Sequence, residues 1–174
     1  MKIGEINVEI KKGDITEERV DAIVNAANNS LLGGGGVDGA IHRKGGPRIL
    51  QQCIKHRGCP TGEARLTIGG DLPCKYVIHT VGPIYGTNQG MDERLLFNAY
   101  FNSLKLAEEY EIKTISFPSI STGAYSYPID KAVEVVYKAI VEFSKIRKKI
   151  EKINLVLYSD ENYQIYKDFF GNFS

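Results

Sequence analysis

The sequence predicts an α/β fold with three layers, in which helices cover both faces of a mixed, mostly parallel central sheet. Two observations support this α/β/α class. Short apolar segments alternate along the chain with longer segments of helical periodicity, and glycine or proline turns separate the two kinds. With 174 residues, the chain has the size of one domain. We therefore expect residues 1–174 to form a single domain.

The predicted strands differ in how much of their surface they bury. Ile6, Val8 and Ile10 alternate with polar residues, which indicates a half-exposed strand. The short apolar run within residues 21–25 is typical of a strand covered on both faces. Further strands are predicted at residues 64–69, 75–81, 114–118 and 153–158, and we expect the sheet to carry an antiparallel edge.

Five helices are predicted from the spacing of apolar residues and from capping signals. They span approximately residues 37–44, 47–55, 92–110, 132–143 and 161–170. Asp92 is expected to cap the third helix. The apolar stripe of that helix is interpreted as hydrophobic core and not as a cofactor site.

The most informative segment is residues 24–45, in which the four consecutive glycines 33–36 directly precede the first predicted helix. Glycine lets backbone amides approach an anion closely, and the first turn of a helix has N–H groups without intrahelical partners. No Lys or Arg occurs between Asn25 and Ile41. A phosphate bound here would therefore be held by amides rather than by cationic side chains.

This neutral segment contains one carboxylate, Asp38, and His42 follows one helical turn later on the same face. Asn25 and Asn28 come at the carboxyl end of the preceding strand, where open α/β sheets bind their ligands. For Asn25 we favour a structural role that ties the loop backbone together. For Asn28, which is nearer the glycines, we favour contact with a ligand.

A second loop without charge, residues 119–128, follows the strand at 114–118 and is rich in Ser, Thr and Gly. It could present amides to a second phosphate, or it could be a plain turn before the helix near Pro128. Asp14 likewise has two interpretations. It could accept a hydrogen bond from an exocyclic amine, but its spacing favours an N-cap of a short helical turn.

Two common nucleotide-binding motifs are not supported by the sequence. Gly34 to Gly39 formally matches G-x-G-x-x-G, but the loop before it is too long and no acidic residue occurs between Asp38 and Glu63. A P-loop is excluded because Gly-Lys-Ser/Thr occurs nowhere in the chain.

Composition gives further expectations. The formal net charge of +1 offers no general argument for nucleic acid or an anionic membrane, and no apolar run approaches the ~20 residues of a membrane span. Without a recognisable signal peptide we expect a cytoplasmic protein whose three cysteines are reduced, with Cys59 exposed. His79, in an apolar strand, is interpreted as a core histidine.

Five motifs follow one another along the chain: Asn25-Ala-Ala-Asn28, Leu32-Gly-Gly-Gly-Gly-Val-Asp-Gly-Ala-Ile-His42, Cys59-Pro-Thr-Gly-Glu-Ala64, Val77-Ile-His-Thr-Val-Gly-Pro83 and Ile120-Ser-Thr-Gly-Ala-Tyr125. In this order they resemble the macro domain family, and in particular its MacroD-type branch of ADP-ribose-processing enzymes. The resemblance runs nearly from end to end and implies a single macro domain over residues 1–174. One departure is Ser126, which stands where related sequences often have Gly.

The resemblance implies a role for individual residues. Asp14 would bind the adenine amine with support from the amide of Ile15, and Tyr158 would stack on the adenine. Tyr125 would pack over the distal ribose, and Asn28 and Asp38 would face it, with His42 beside Asp38. The amides that would clamp the diphosphate are those of Gly34, Gly35, Gly36 and Val37 on one side and of Ser121, Thr122, Gly123 and Ala124 on the other.

The activity implied by the resemblance is hydrolysis of ADP-ribose esters, either on Asp or Glu side chains of proteins or as O-acetyl-ADP-ribose. Asp38 would act as general base, and no cofactor or metal is expected. The expected partners are ADP-ribose, ADP-ribosylated proteins and O-acetyl-ADP-ribose, with no membrane and no nucleic acid unless it is ADP-ribosylated. A non-catalytic ADP-ribose reader and an ADP-ribose 1″-phosphate phosphatase are the alternatives.

Overall fold

A computed structural model describes residues 1–173, and all of its strands belong to one seven-stranded sheet. The sheet has the order β1-β2-β7-β6-β3-β5-β4. The strands are β1 (Lys2–Ile3), β2 (Ile6–Lys12), β3 (Ala22–Ala26), β4 (Ala64–Ile68), β5 (Tyr76–Thr80), β6 (Thr114–Phe117) and β7 (Lys152–Leu157). The predicted α/β fold with a mixed, mostly parallel sheet is confirmed.

Both edges of the sheet are antiparallel, whereas the strands between them are parallel. β1 pairs with β2 and β4 pairs with β5 in antiparallel fashion, and the remaining four pairings are parallel. The sequence indicated an antiparallel edge in general terms only. β1 was not predicted because a two-residue strand is too short to show an alternating pattern.

Five helices cover the two faces of the sheet: α1 (Gly36–Gly45), α2 (Pro47–His56), α3 (Asp92–Glu109), α4 (Ile129–Ser144) and α5 (Asp160–Gly171). α1 and α2 pack on one face with Ile23 and Val77, and the other three helices pack on the opposite face with Val24 and Ile78. Adjacent residues of β3 and β5 thus enter different cores, as the alternation of side chains along a strand requires.

Two local predictions were wrong. Asp92 is the first residue of α3 and not its cap, and its carboxylate accepts hydrogen bonds from the Gly86 amide and the Asn88 side chain. Cys59 is buried and not exposed, with 3% of its surface accessible. Burial raises the pKa of all three thiols, Cys53, Cys59 and Cys74, to about 11.

The parallel strands place several loops at one edge of the sheet. The loops that follow β2, β3, β6 and β7 all begin at the carboxyl ends of strands that run side by side. Within residues 1–173, none of the helices combines the length and apolar character that crossing a membrane would need.

Candidate active site

A cavity of about 340 Å³ opens between the loop after β3 and the loop after β6. Its walls include the glycine segment 34–36 with Val37 and Asp38 on one side, and residues 119–121 with 123–125 on the other. No Lys or Arg among residues 1–173 lines it. The two uncharged loops that the sequence singled out therefore face each other across one cavity.

The glycine loop approaches α1 closely enough to require small residues. Gly36 begins the helix with φ +57°, and its N-cap, Gly35, makes no side-chain capping bond. A Cβ atom at Gly39 would collide with the carbonyl oxygen of Gly34. The loop thus lies directly against the first turn of α1, whose N–H groups can serve an anion in the cavity.

The second loop is shaped by two residues in the left-handed region. Ser121 has φ +66° and Ser126 has φ +61°, and the amide of Ser126 donates to the carbonyl of Gly123. A positive φ at Ser126 explains why glycine suits this position, since glycine adopts it without strain. The Thr122 hydroxyl donates to Ser119 Oγ at 2.7 Å, and Thr122 does not line the cavity.

Among the residues that the structure describes, Asp38 is the only one with a charged side chain in the wall of this cavity. It is buried, with 5% of its surface accessible, and its Oδ1 accepts a hydrogen bond of 2.8 Å from Asn25 Nδ2. His42 Nε2 lies 3.3 Å from the same Oδ1, as expected from their i, i+4 spacing. The other carboxylate oxygen, Oδ2, lies beside Gly34 at the cavity.

The structure shows which contacts the two asparagines make. Asn28 lines the cavity, but its own side chain braces the loop, donating to the Gly33 carbonyl at 2.9 Å and accepting from Ser30 Oγ and the Leu31 amide. Asn25 is fully buried below the cavity and holds Asp38. The loop-bracing role assigned to Asn25 thus belongs to Asn28, and Asn25 does not line the cavity as a ligand-binding residue would.

A second cavity of about 440 Å³ adjoins the first, because Gly36 and Val37 line both. Asp14, Ile15 and Tyr158 lie in its wall, and Tyr158 is 84% exposed, so its ring is free to stack on a planar ligand. Arg43 and Lys44 of α1 line it as well. Unlike the first cavity, this one therefore has cationic side chains at its rim.

Asp14 is an N-cap, as its spacing predicted, and it is also ion-paired. Its Oδ1 accepts from the Thr16 amide at 2.9 Å, and Lys44 Nζ donates to its Oδ2 at 2.7 Å. Partial burial opposes ionisation of Asp14, but the hydrogen bonds from Lys44 and Thr16 outweigh it and lower the pKa of the carboxyl.

Sequence reasoning missed two groups of residues. Ala26, Ala27 and Gly82 complete the first cavity, and a buried network behind Asp38 includes His79. Gly82 has no room for a side chain because Ile120 and Ser121 lie against it. The one available signal for His79 was a polar residue in an otherwise apolar strand.

The geometry agrees with comparisons to known proteins. A family model described as Macro domain matches residues 24–136, more than half of the chain. The chain belongs to the macro domain family. The glycine segment, Asp38 and the part of the second loop at residues 119–126 (the 119–126 loop) all lie within that match. They contribute to the walls of the first cavity of this macro domain.

Curated relatives cover nearly the whole macro domain. A macro domain-containing protein of Caldanaerobacter subterraneus is 48% identical over 91% of this chain and 93% of its own length. The O-acetyl-ADP-ribose deacetylase of Escherichia coli strain K12 is 46% identical over 92% of this chain and 93% of its own.

Solved structures show the same fold. The Oceanobacillus iheyensis macrodomain with ADP is 42% identical, with a TM-score of 0.94 over 99% of this chain and 94% of its own. The Trypanosoma brucei macrodomain in complex with ADP-ribose is 38% identical, with a TM-score of 0.89 over 95% of this chain and 69% of its own.

Proposed function

We propose that this macro domain binds ADP-ribose and hydrolyses an ester on its distal ribose, with O-acetyl-ADP-ribose as substrate. ADP-ribose esters on Asp or Glu side chains of proteins are proposed as a second substrate class. The proposal rests on the position of Asp38. Its carboxylate is buried and lies in the wall of a cavity that is otherwise lined by uncharged described residues.

The diphosphate is assigned to the first cavity, between the glycine loop and the 119–126 loop. Because no cationic side chain of the described part of the chain lines that cavity, the negative charge must be bound by backbone N–H groups and by the N-terminus of α1. Such groups keep a fixed position, so the diphosphate orients the rest of the ligand.

The adenosine is assigned to the second cavity, which adjoins the first at Gly36 and Val37. Asp14 Oδ2 accepts a hydrogen bond of 2.7 Å from Lys44 Nζ. A carboxylate oxygen can accept a second hydrogen bond, and we assign that bond to the exocyclic amine of adenine. The exposed ring of Tyr158 can stack on adenine, a contact of about 0.5–1.5 kcal/mol beyond area burial.

The distal ribose then lies beside Asn28, Asp38 and Tyr125 in the first cavity. Asp38 accepts a proton from a water molecule as that water adds to the acyl carbon of the ester. The bond between the acyl carbon and the ribose oxygen breaks, the ribose oxygen takes up the proton, and a carboxylic acid and ADP-ribose are released. The names of the deacetylase relatives support the choice of substrate.

The test is to incubate the protein with O-acetyl-ADP-ribose, with a mono-ADP-ribosylated acceptor protein and with ADP-ribose 1″-phosphate, each in parallel. We expect acetate release by the wild type and a loss of about 10²–10⁴-fold in kcat for Asp38→Ala. Asp168→Ala, which removes an exposed carboxylate of α5 outside both cavities, is the matched control. Tight ADP-ribose binding without turnover of any substrate would identify a reader module instead.

A further inference from the structure

A chain of buried hydrogen bonds leads away from Asp38 across the sheet. Asn25 of β3 and His79 of β5 are register partners, and Thr67 lies on β4. Asn25 Nδ2 lies 2.8 Å from Asp38 Oδ1 and 3.0 Å from His79 Nδ1, and His79 Nε2 lies 2.9 Å from Thr67 Oγ1. All three of these residues have 0% of their surface accessible.

The direction of every bond in this chain is determined by its ends. The Thr67 hydroxyl donates to the carbonyl of Ile68 at 3.0 Å, so its one hydrogen is used there and its oxygen must accept from His79 Nε2. His79 is then the tautomer with hydrogen on Nε2, and its Nδ1 accepts from Asn25. Both N–H groups of the Asn25 amide are thereby used, one on His79 and one on Asp38.

A neutral His79 is what its surroundings favour. Burial, and then the neighbouring His42 and His56, lower the pKa of His79 to about 3. The imidazole therefore keeps one hydrogen at neutral pH, as the bond directions require.

The reversed amide would put Asn25 Oδ1 against the Asp38 carboxylate, where two acceptors repel each other. It would also need a donor at His79 Nδ1, which the Nε2–H tautomer does not supply. Asn25 Oδ1 has no hydrogen-bond partner within residues 1–173, so the amide is held in place by its two N–H bonds alone. Loss of either bond leaves only one hydrogen bond to orient the amide.

We propose that His79 is a positioning residue for the hydrolysis. Through the tautomer selected by Thr67 it orients the Asn25 amide, which holds Asp38 Oδ1 and leaves Oδ2 directed to the cavity. This inference rests on the proposed function of Asp38. It assigns His79 a role beyond that of a core histidine.

Two substitutions separate this role from plain packing. His79→Leu removes the acceptor next to Asn25 while keeping an apolar side chain, and His79→Asn restores an acceptor in the place of Nδ1. We expect kcat for O-acetyl-ADP-ribose to fall by about 10–10²-fold in His79→Leu and to recover largely in His79→Asn. KM and the affinity for ADP, which lacks the distal ribose, should stay within about twofold in both.

Thr67→Val tests the far end of the chain, because it keeps the side-chain shape but removes the group that selects the tautomer. We expect an intermediate loss of kcat. Ser103→Ala is the matched control, since it also removes a fully buried hydroxyl, bonded at 2.6 Å to the Ala99 carbonyl within α3. A lower melting temperature in His79→Leu with unchanged kcat would show a purely structural role and overturn the proposal.

The wild-type protein offers a test that does not depend on how the variants fold. A long-range ¹⁵N–¹H correlation spectrum should show His79 with hydrogen on Nε2, a bare Nδ1 and no titration between pH 5 and 8. Hydrogen on Nδ1, or titration near 6.5, would overturn the proposal.

Failure of the proposed function would look different. If the wild type binds ADP-ribose but releases no acetate, the hydrolase proposal fails. The positioning role of His79 is then tested by measuring ligand affinities. The ratio of ADP-ribose affinity to ADP affinity should then fall in His79→Leu, because Asp38 faces only the distal ribose. An unchanged ratio would refute the positioning role as well.

Discussion

Asp14 and Asp38 are carboxylates of neighbouring cavities at the same edge of the sheet, and their surroundings are opposite. The Asp14 side chain is 33% exposed and forms an ion pair with Lys44. The Asp38 side chain is 7% exposed, and its closest partner is the uncharged amide of Asn25. No lysine or arginine forms an ion pair with Asp38 within residues 1–173.

The different surroundings suit the two carboxylates to different roles. An ammonium partner stabilises the ionised form and opposes protonation, so Asp14 is suited to a fixed acceptor role. A neutral amide orients a carboxylate without adding a positive charge, which leaves Asp38 able to accept a proton during a reaction. The comparison therefore predicts that Asp14 governs the affinity for the ligand and that Asp38 governs turnover.

The largest expected effect comes from Asp38→Asn, which keeps the shape of the side chain but removes its charge. We expect kcat for O-acetyl-ADP-ribose to fall by about 10²–10⁴-fold, because an amide cannot take a proton from water. Affinity for ADP, measured by calorimetry, should stay within about twofold. If the variant kept wild-type turnover, Asp38 would have no part in the mechanism, and the proposed difference in role between Asp38 and Asp14 would be refuted.

The next largest effect is expected from Gly39→Ala. Gly39 follows Asp38 in α1, and it does not line the cavity that contains Asp14. The new Cβ would collide with the Gly34 carbonyl, so the glycine loop must move away from α1. We expect the free energy of unfolding in urea to fall by about 1–3 kcal/mol, together with weaker ADP binding. Gly171→Ala in α5, where a Cβ meets open space, is the control, and it should leave ADP binding unchanged without lowering the free energy of unfolding.

Asp14→Asn should change affinity and leave chemistry alone. Loss of a charged acceptor for the adenine amine costs about 1.5 kcal/mol, or about tenfold in the dissociation constant for ADP. The kcat should be unchanged at saturating substrate. Glu17→Gln, an exposed acid in the same 3-10 turn (Ile15–Glu17), is the control, and a drop of kcat in Asp14→Asn would contradict the division of roles.

The smallest effect is expected from Lys44→Ala. Because Lys44 helps to lower the pKa of Asp14, its removal should raise the midpoint of the Asp14 carboxyl in an NMR titration. A lowered pKa in the folded state contributes stability above the unfolded value of 3.8, and this stability is lost as the pH falls through the folded pKa. The variant should therefore lose less stability on acidification than the wild type, and ADP affinity should change by less than about threefold.

The sequence predicted the walls of the first cavity better than what lies behind them. The glycine segment and the second loop were recognised because both are uncharged, rich in small residues and follow predicted strands, although a plain turn stayed an alternative for the second loop. Asn25 has a structural role, as interpreted, but it holds Asp38 and not the loop backbone, whereas Asn28 lines the cavity and also braces the loop, because spacing does not reveal what a side chain contacts. His79 was predicted to be a core residue, and its bond to Asn25 depends on strand register across two different strands.

The sequence by itself determined the α/β class, the helices and strands near their observed bounds, and the uncharged loops that form the first cavity. These features are local, because periodicity, glycine content and charge act over a few residues. Only the tertiary structure decided that Asp38 is held by Asn25 and Asn25 by His79. Those contacts join residues 13 and 54 positions apart, and they exist because parallel pairing places β3 beside β5 while α1 packs against β3.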